Sequence, residues 1–178
     1  MRFLPLLFGM VLQAAVSPLP ISRQSAQIFT AEGLFQGGSA GKASLEAIRF
    51  SPHSKSRERW VIDFSDPTTQ KVGTHAPLFQ LRYVKGNSVG VPSQEVILSP
   101  AKFVLNLRAI SQNKVEPKKV ARLIRKSDLV QDIVFYPAIE EGDMALEIIL
   151  KKNVLFEAHQ PVQNEGRLVL DLKPAASR

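Results

Sequence analysis

The residues able to carry chemistry are few and scattered. His53, His75 and His159 are the only histidines, cysteine is absent, and no pair of histidines has the four-residue spacing of a helical zinc site. The missing cysteine excludes disulfides, thiol nucleophiles, zinc ribbons and lipid attachment through a lipoprotein cysteine. Glu140, Glu141 and Asp143 are the nearest thing to a hydrolytic carboxylate pair, but Gly142 among them marks a solvated turn. The chain is therefore read as non-enzymatic, with no catalytic residue, no metal ligand and no cofactor.

The basic residues form a stronger pattern. Six cations (Lys114, Lys118, Lys119, Arg122, Arg125, Lys126) stand against Glu116 between positions 114 and 126. If that stretch is helical, Lys118, Arg122 and Arg125 fall four and three residues apart and share one face. Such a face suits carboxylates or phosphates, and arginine can engage a carboxylate with two parallel hydrogen bonds. Arg82, Lys85 and Arg108 form a second set on polar strand faces or at turns, able to line a groove if their strands are neighbours. Tyr136, before Pro137 at a strand end, is the ring expected to be exposed for saccharide contact. Trp60 and Tyr83 run in phase with apolar residues and are expected in the core.

The elements that must position these residues are strands. Ile48 and Phe50 share a face, as do Trp60, Ile62 and Phe64. The same holds for Phe79, Leu81 and Tyr83, and for Phe103, Leu105 and Leu107. Met144, Leu146, Ile148 and Leu150 form a further set, and Leu168, Leu170 and Leu172 another. This repeated alternation predicts an all-β sandwich of two amphipathic sheets built from meanders. Turns fall at Ser65-Asp66-Pro67, Lys85-Gly86-Asn87, Glu140 to Asp143 and Asn164-Glu165-Gly166. Lys151-Lys152-Asn153 is expected to close a hairpin. Residues 117–126, with Pro117 leading and apolar residues at 120, 123 and 124, suit a short helix over the sheet edge, with a strand as the alternative. One motif returns three times: Arg59 to Phe64, Lys102 to Leu107 and Arg167 to Leu172. Each runs basic, large apolar, Val, aliphatic, Asp or Asn, large apolar.

Composition and the first residues set the destination. The 178 residues, 44% hydrophobic and 22% charged, suit one domain with a core of its own. Met1-Arg2, the apolar run Phe3 to Leu12 and the small residues Ala14 to Ser17 have the proportions of a secretory signal, and the run is too short to span a membrane. Residues 1–16 are read as the signal, 17–42 as a flexible tether, 43–174 as the sandwich and 175–178 as a tail. Losing Arg2 leaves 22 basic and 16 acidic residues, a charge of +6. An exported basic domain meets anionic wall polymer rather than nucleic acid, and no nucleic-acid motif stands against that. The expected location is the periplasm or outside the cell, with no transmembrane segment after signal cleavage.

Trp60-Val61-Ile62-Asp63-Phe64-Ser65, Phe156-Glu157-Ala158 and Arg167 through Lys173 resemble the AMIN domain. The resemblance covers roughly residues 44–174. AMIN domains are β-sandwiches of periplasmic amidases and type IV pilus secretins, where they bind or localise to peptidoglycan. The resemblance implies a bacterial envelope module that binds peptidoglycan or another anionic wall polymer. An accessory role in an envelope protein complex, such as a pilus or secretion system, is the alternative. Known members usually carry a further enzymatic or secretin domain, which is not found in this sequence.

Overall fold

The computed structural model describes residues 29–54, 56–91, 94–137 and 142–175. The expected signal, the first part of the expected tether (17–28), the Glu140-Glu141 portion of one turn and the last three residues lie outside them. The fold is an all-β sandwich of two five-stranded sheets, with one short helix and an appended hairpin.

One sheet has the order β1 (Leu34–Gly37), β4 (Phe79–Val84), β7 (Lys102–Leu107), β10 (Met144–Leu150), β9 (Val130–Pro137). The other runs β11 (Val154–His159), β12 (Arg167–Pro174), β3 (Arg57–Ser65), β2 (Ala43–Ser54), β8 (Ile110–Asn113). They are termed sheet B and sheet A. All pairings are antiparallel except β2 with β8. β5 (Asn87–Val91) and β6 (Gln94–Ser99) form the separate hairpin.

The alternation read from the sequence is the alternation that packs. Trp60, Ile62 and Phe64 of β3, Leu168, Leu170 and Leu172 of β12, and Ile48 of β2 point inward from sheet A. Phe79, Leu81 and Tyr83, Phe103, Leu105 and Leu107, and Leu146, Ile148 and Leu150 meet them from sheet B. Successive side chains in a strand face opposite ways, so a period of two delivers a whole apolar row to the core. Tyr83, Phe103 and Phe156 join the sheets as a triangle of rings with centroids 4.9–5.4 Å apart. Burial pushes the Tyr83 phenol up, against the lowering effect of the Val154 N–H that donates to its oxygen at 3.2 Å.

The helix is α1 (Pro117–Ile124), within the stretch expected to hold one. Proline at its first position lacks only a donor that the helix leaves unused there. Val120, Leu123 and Ile124 face the core, and the helix closes one open side between β9 of sheet B and β2 of sheet A.

Two expectations are corrected. The expected tether is not slack where it is described: Thr30 bridges Phe156 of β11, and β1 pairs with β4. Phe35 packs on Phe79, and Gly38 has φ +80° with no room for a side chain, since a Cβ would lie 1.8 Å from the Pro77 carbonyl oxygen. The glycines read as flexibility are there for close approach. The Lys151–Asn153 turn does join β10 to β11, but it is not a hairpin, because β10 lies in sheet B and β11 in sheet A. Leu150 and Val154 both serve the core, and the Asn153 side chain accepts from the Gly86 N–H at 2.9 Å and the Tyr83 hydroxyl at 3.2 Å. Those bonds hold the turn to sheet B while Phe156 carries the chain into the other layer.

Candidate functional site

The outer face of α1 carries Lys118, Arg122 and Arg125, all exposed, at the expected spacing of four and three. Lys119 is neutralised by Glu116 at 2.6 Å, and Lys114 by Glu46 at 2.7 Å. Burial pushes the Glu46 carboxyl up, but hydrogen bonds from Lys114 and Ser65 outweigh it and hold the group below the ordinary carboxylate range. The Arg125 Nε donates to the Ala121 carbonyl at 3.3 Å, satisfying one oxygen of the last turn. Lys118 and Arg122 have no hydrogen-bond or ion-pair partner among the described residues. The helix face is therefore a row of available cations above an apolar anchor.

The other expected residues lie elsewhere. Arg82 and Tyr136 share the outer face of sheet B, three strands apart, with Val104 and Glu147 between their strands. Tyr136 is 44% exposed, and its hydroxyl donates to Glu147 Oε2 at 3.4 Å; Lys102 holds the other oxygen at 2.6 Å. β4 and β7 are indeed neighbours, yet Lys85 and Arg108 do not share a wall. Lys85 follows Val84 at one end of the pair, and Arg108, whose N–H donates to the Leu78 carbonyl, lies at the other. About 20 Å of strand separates them.

Two carboxylates on the outer face of sheet A stand out because they are buried there. Asp63 is 4% exposed and lies between Arg49 and Arg167, the latter at 3.0 Å. Asp171 is held by Arg59 through two bonds of 2.7 and 2.8 Å. Arg167 faces Asp63 and Arg59 faces Asp171 across the β12–β3 ladder. This explains part of the internal echo. An Arg-x-x-x-Asp segment placed antiparallel to another in this register sets each Arg opposite the other's Asp. Both carboxylates are thus ion-paired to guanidinium groups.

One pattern contradicts the expectation that the chain lacks a Gly-x-Ser-x-Gly sequence. Gly37-Gly38-Ser39-Ala40-Gly41 has the Gly-x-Ser-x-Gly spacing of a nucleophile elbow, and Ser39 Oγ lies 3.0 Å from His75 Nδ1. The context differs from an elbow, because the segment joins two strands instead of a strand and a helix. His75 Nε2 is buried without a partner among the described residues. Asp66, which feels the charge of His75, is committed to the Thr69 and Thr68 N–H groups at 2.9 and 2.7 Å, which hold its carboxyl below the usual range. The Ser39–His75 contact ties the loop after β1 to the loop before β4.

Among the described residues no group of three or more His, Asp or Glu is placed to hold a metal ion, and no helix is long and apolar enough to cross a membrane. A scan against protein-family models finds no match, and a search of curated proteins finds no relative of this chain.

Proposed function

We propose that the protein is an exported, non-enzymatic module of the bacterial cell envelope that binds or localises to peptidoglycan, or to another anionic wall polymer, through a basic surface. The observation that carries this reading is the outer face of α1, where Lys118 and Arg122 project without partners and Arg125 completes the row. The β-sandwich agrees with the AMIN resemblance in fold class, and the charge of the chain favours anionic over nucleic-acid partners once it is exported. Sedimentation with purified peptidoglycan should retain the protein at low salt and release it as salt rises. R122E/R125E should abolish that retention; full retention by this variant would remove the helix face from the proposal, and no retention at low salt would end the wall-binding reading.

A second reading, an accessory of an envelope protein complex, has one observation in its favour. The outer face of sheet B exposes Leu34 (54%) and Tyr136 on its two edge strands, with half-buried Val104 and Ile149 on the strands between and Val134 beside Tyr136 on β9. The β9 edge itself is a poorer partner: Asp132 places a charge there and accepts the Ile133 N–H. Photo-crosslinking from position 104 in intact envelopes would detect a protein on that face.

A further inference from the structure

Turns from both sheets gather at one end of the sandwich, and they collect a charge that no single segment shows. β4 and β10 end there, and β3, β9 and β11 begin there. Named hydrogen bonds tie these turns together. Asn153 Oδ1 accepts the Gly86 N–H, joining the turn after β4 to the one after β10. Lys151 Nζ donates to the Ser127 carbonyl at 2.6 Å, and the Lys151 N–H to the Leu129 carbonyl at 2.8 Å, joining that turn to the loop after α1. Glu58, at the start of β3, accepts from the Ser127 hydroxyl at 2.6 Å, the Asp128 N–H at 2.6 Å and the Leu129 N–H at 3.0 Å.

The result is a fixed end bearing Lys85, Arg125, Lys126, Lys151 and Lys152, all exposed. In these turns, among the described residues, Asp128 is the one exposed carboxylate; Glu58 is buried and its oxygens are taken. Lys85, Lys126 and Lys152 have no side-chain partner among the described residues. Of the exposed large apolar residues, Val72, Leu78, Tyr136 and Val162 belong to the opposite end, while Leu34 of β1 faces Arg82, toward the basic end but outside these turns.

We propose that this basic end is a peripheral docking surface for an anionic lipid headgroup layer. The cations stand on turn tips spread across about 14 Å, from β4 to β9, and over two sheets about 10 Å apart. That arrangement meets a plane of charge better than a single polymer strand, which would need a track or groove. Four of the five are lysines, compact point charges that accept mobile phosphates without demanding a fixed bidentate geometry. Attachment through these cations is electrostatic and salt-reversible.

Each cation near an anionic membrane contributes roughly a fivefold gain in partitioning, so K85Q/K126Q/K152Q should weaken binding on the order of a hundredfold. The full chain is sedimented with phosphatidylcholine vesicles containing about one-third phosphatidylglycerol, and with pure phosphatidylcholine, at low and high salt. The salt-released fraction is the readout, because the apolar run near the N-terminus would bind either vesicle regardless of salt. K42Q/K71Q/R108Q, the same charge change at the opposite end, serves as control. The expected result is salt-sensitive binding to the anionic vesicles alone, lost in the first variant and kept in the control. Equal loss in both variants, or no preference for anionic vesicles, overturns the proposal, as does binding of linear polyphosphate in place of vesicles. Peptidoglycan retention in K85Q/K126Q/K152Q should stay intact, since these three lysines lie outside the α1 face; Arg125 is common to both surfaces and is left unchanged.

Discussion

Glu58 illustrates how one residue can hold an end of the fold together. It is an inward-pointing carboxylate on an otherwise apolar face, accepting from Trp60 Nε1 at 3.2 Å, the Ser127 hydroxyl and two backbone N–H groups. A buried carboxylate is tolerable only when such donors surround it. Glu58→Ala takes the acceptor from Trp60, the Ser127 hydroxyl and the Asp128 N–H, while the Leu129 N–H keeps Ser127 Oγ at 3.1 Å. It should destabilise the protein by roughly 3 kcal/mol in urea unfolding, with Glu58→Gln less harmful because one acceptor remains. Position 58 is in phase with Trp60, Ile62 and Phe64, so the strand pattern points it inward. Its partners at 127–129 lie far along the chain, and only folding brings them to it. Ser39 is the opposite case: its Gly-x-Ser-x-Gly pattern stands in the sequence, and only the fold shows that it joins two strands and meets His75.

At the scale of elements, the β3–β12 ladder gives a prediction with a sign. Arg59 is 36% exposed and Asp171 9%, so the two halves of the pair do not have equal alternatives. Asp171→Ala leaves a guanidinium that water and the nearby Glu157 charge can serve, a cost of about 1 kcal/mol. Arg59→Ala leaves a buried carboxylate without its cation, a cost of roughly 2–3 kcal/mol. Equal losses in thermal or urea unfolding would refute the asymmetry. The strands themselves were legible because alternation is a local property of the chain. Their pairing was not, as the Lys151–Asn153 turn shows: identical turn chemistry serves a hairpin within one sheet or a crossing between two. The helix was legible from Pro117 and the spacing of Val120, Leu123 and Ile124, and the Lys118, Arg122 and Arg125 face followed from it.

For the whole molecule, the limits of the folded unit move toward the N-terminus. Removing residues up to Lys42, the boundary suggested by glycine content, strips β1 from β4 and takes Phe35 off Phe79. Compared with the full chain, that truncation should lose roughly 2–3 kcal/mol in urea unfolding, the combined effect of a half-buried phenylalanine and an uncovered sheet edge. A truncated protein as stable as the full chain would restore the tether. Net charge could be counted in advance, but its placement could not. Lys85, Lys126 and Lys152 come from three turns remote in sequence, and nothing local distinguishes them from ordinary loop lysines.

The sequence by itself determined the all-β class, the inward rows of the six main strands and the burial of Trp60 and Tyr83, and it set Lys118, Arg122 and Arg125 on one face provided that 117–126 is helical. Each depends on periodicity over a few residues, set by the geometry of a strand or helix. Only the tertiary structure decided which strands pair, that the glycine segment is packed tightly, that Arg and Asp of the repeated motif neutralise each other, and that the lysines of separate turns form one end. Those outcomes depend on contacts between distant segments, where sequence order carries no distance.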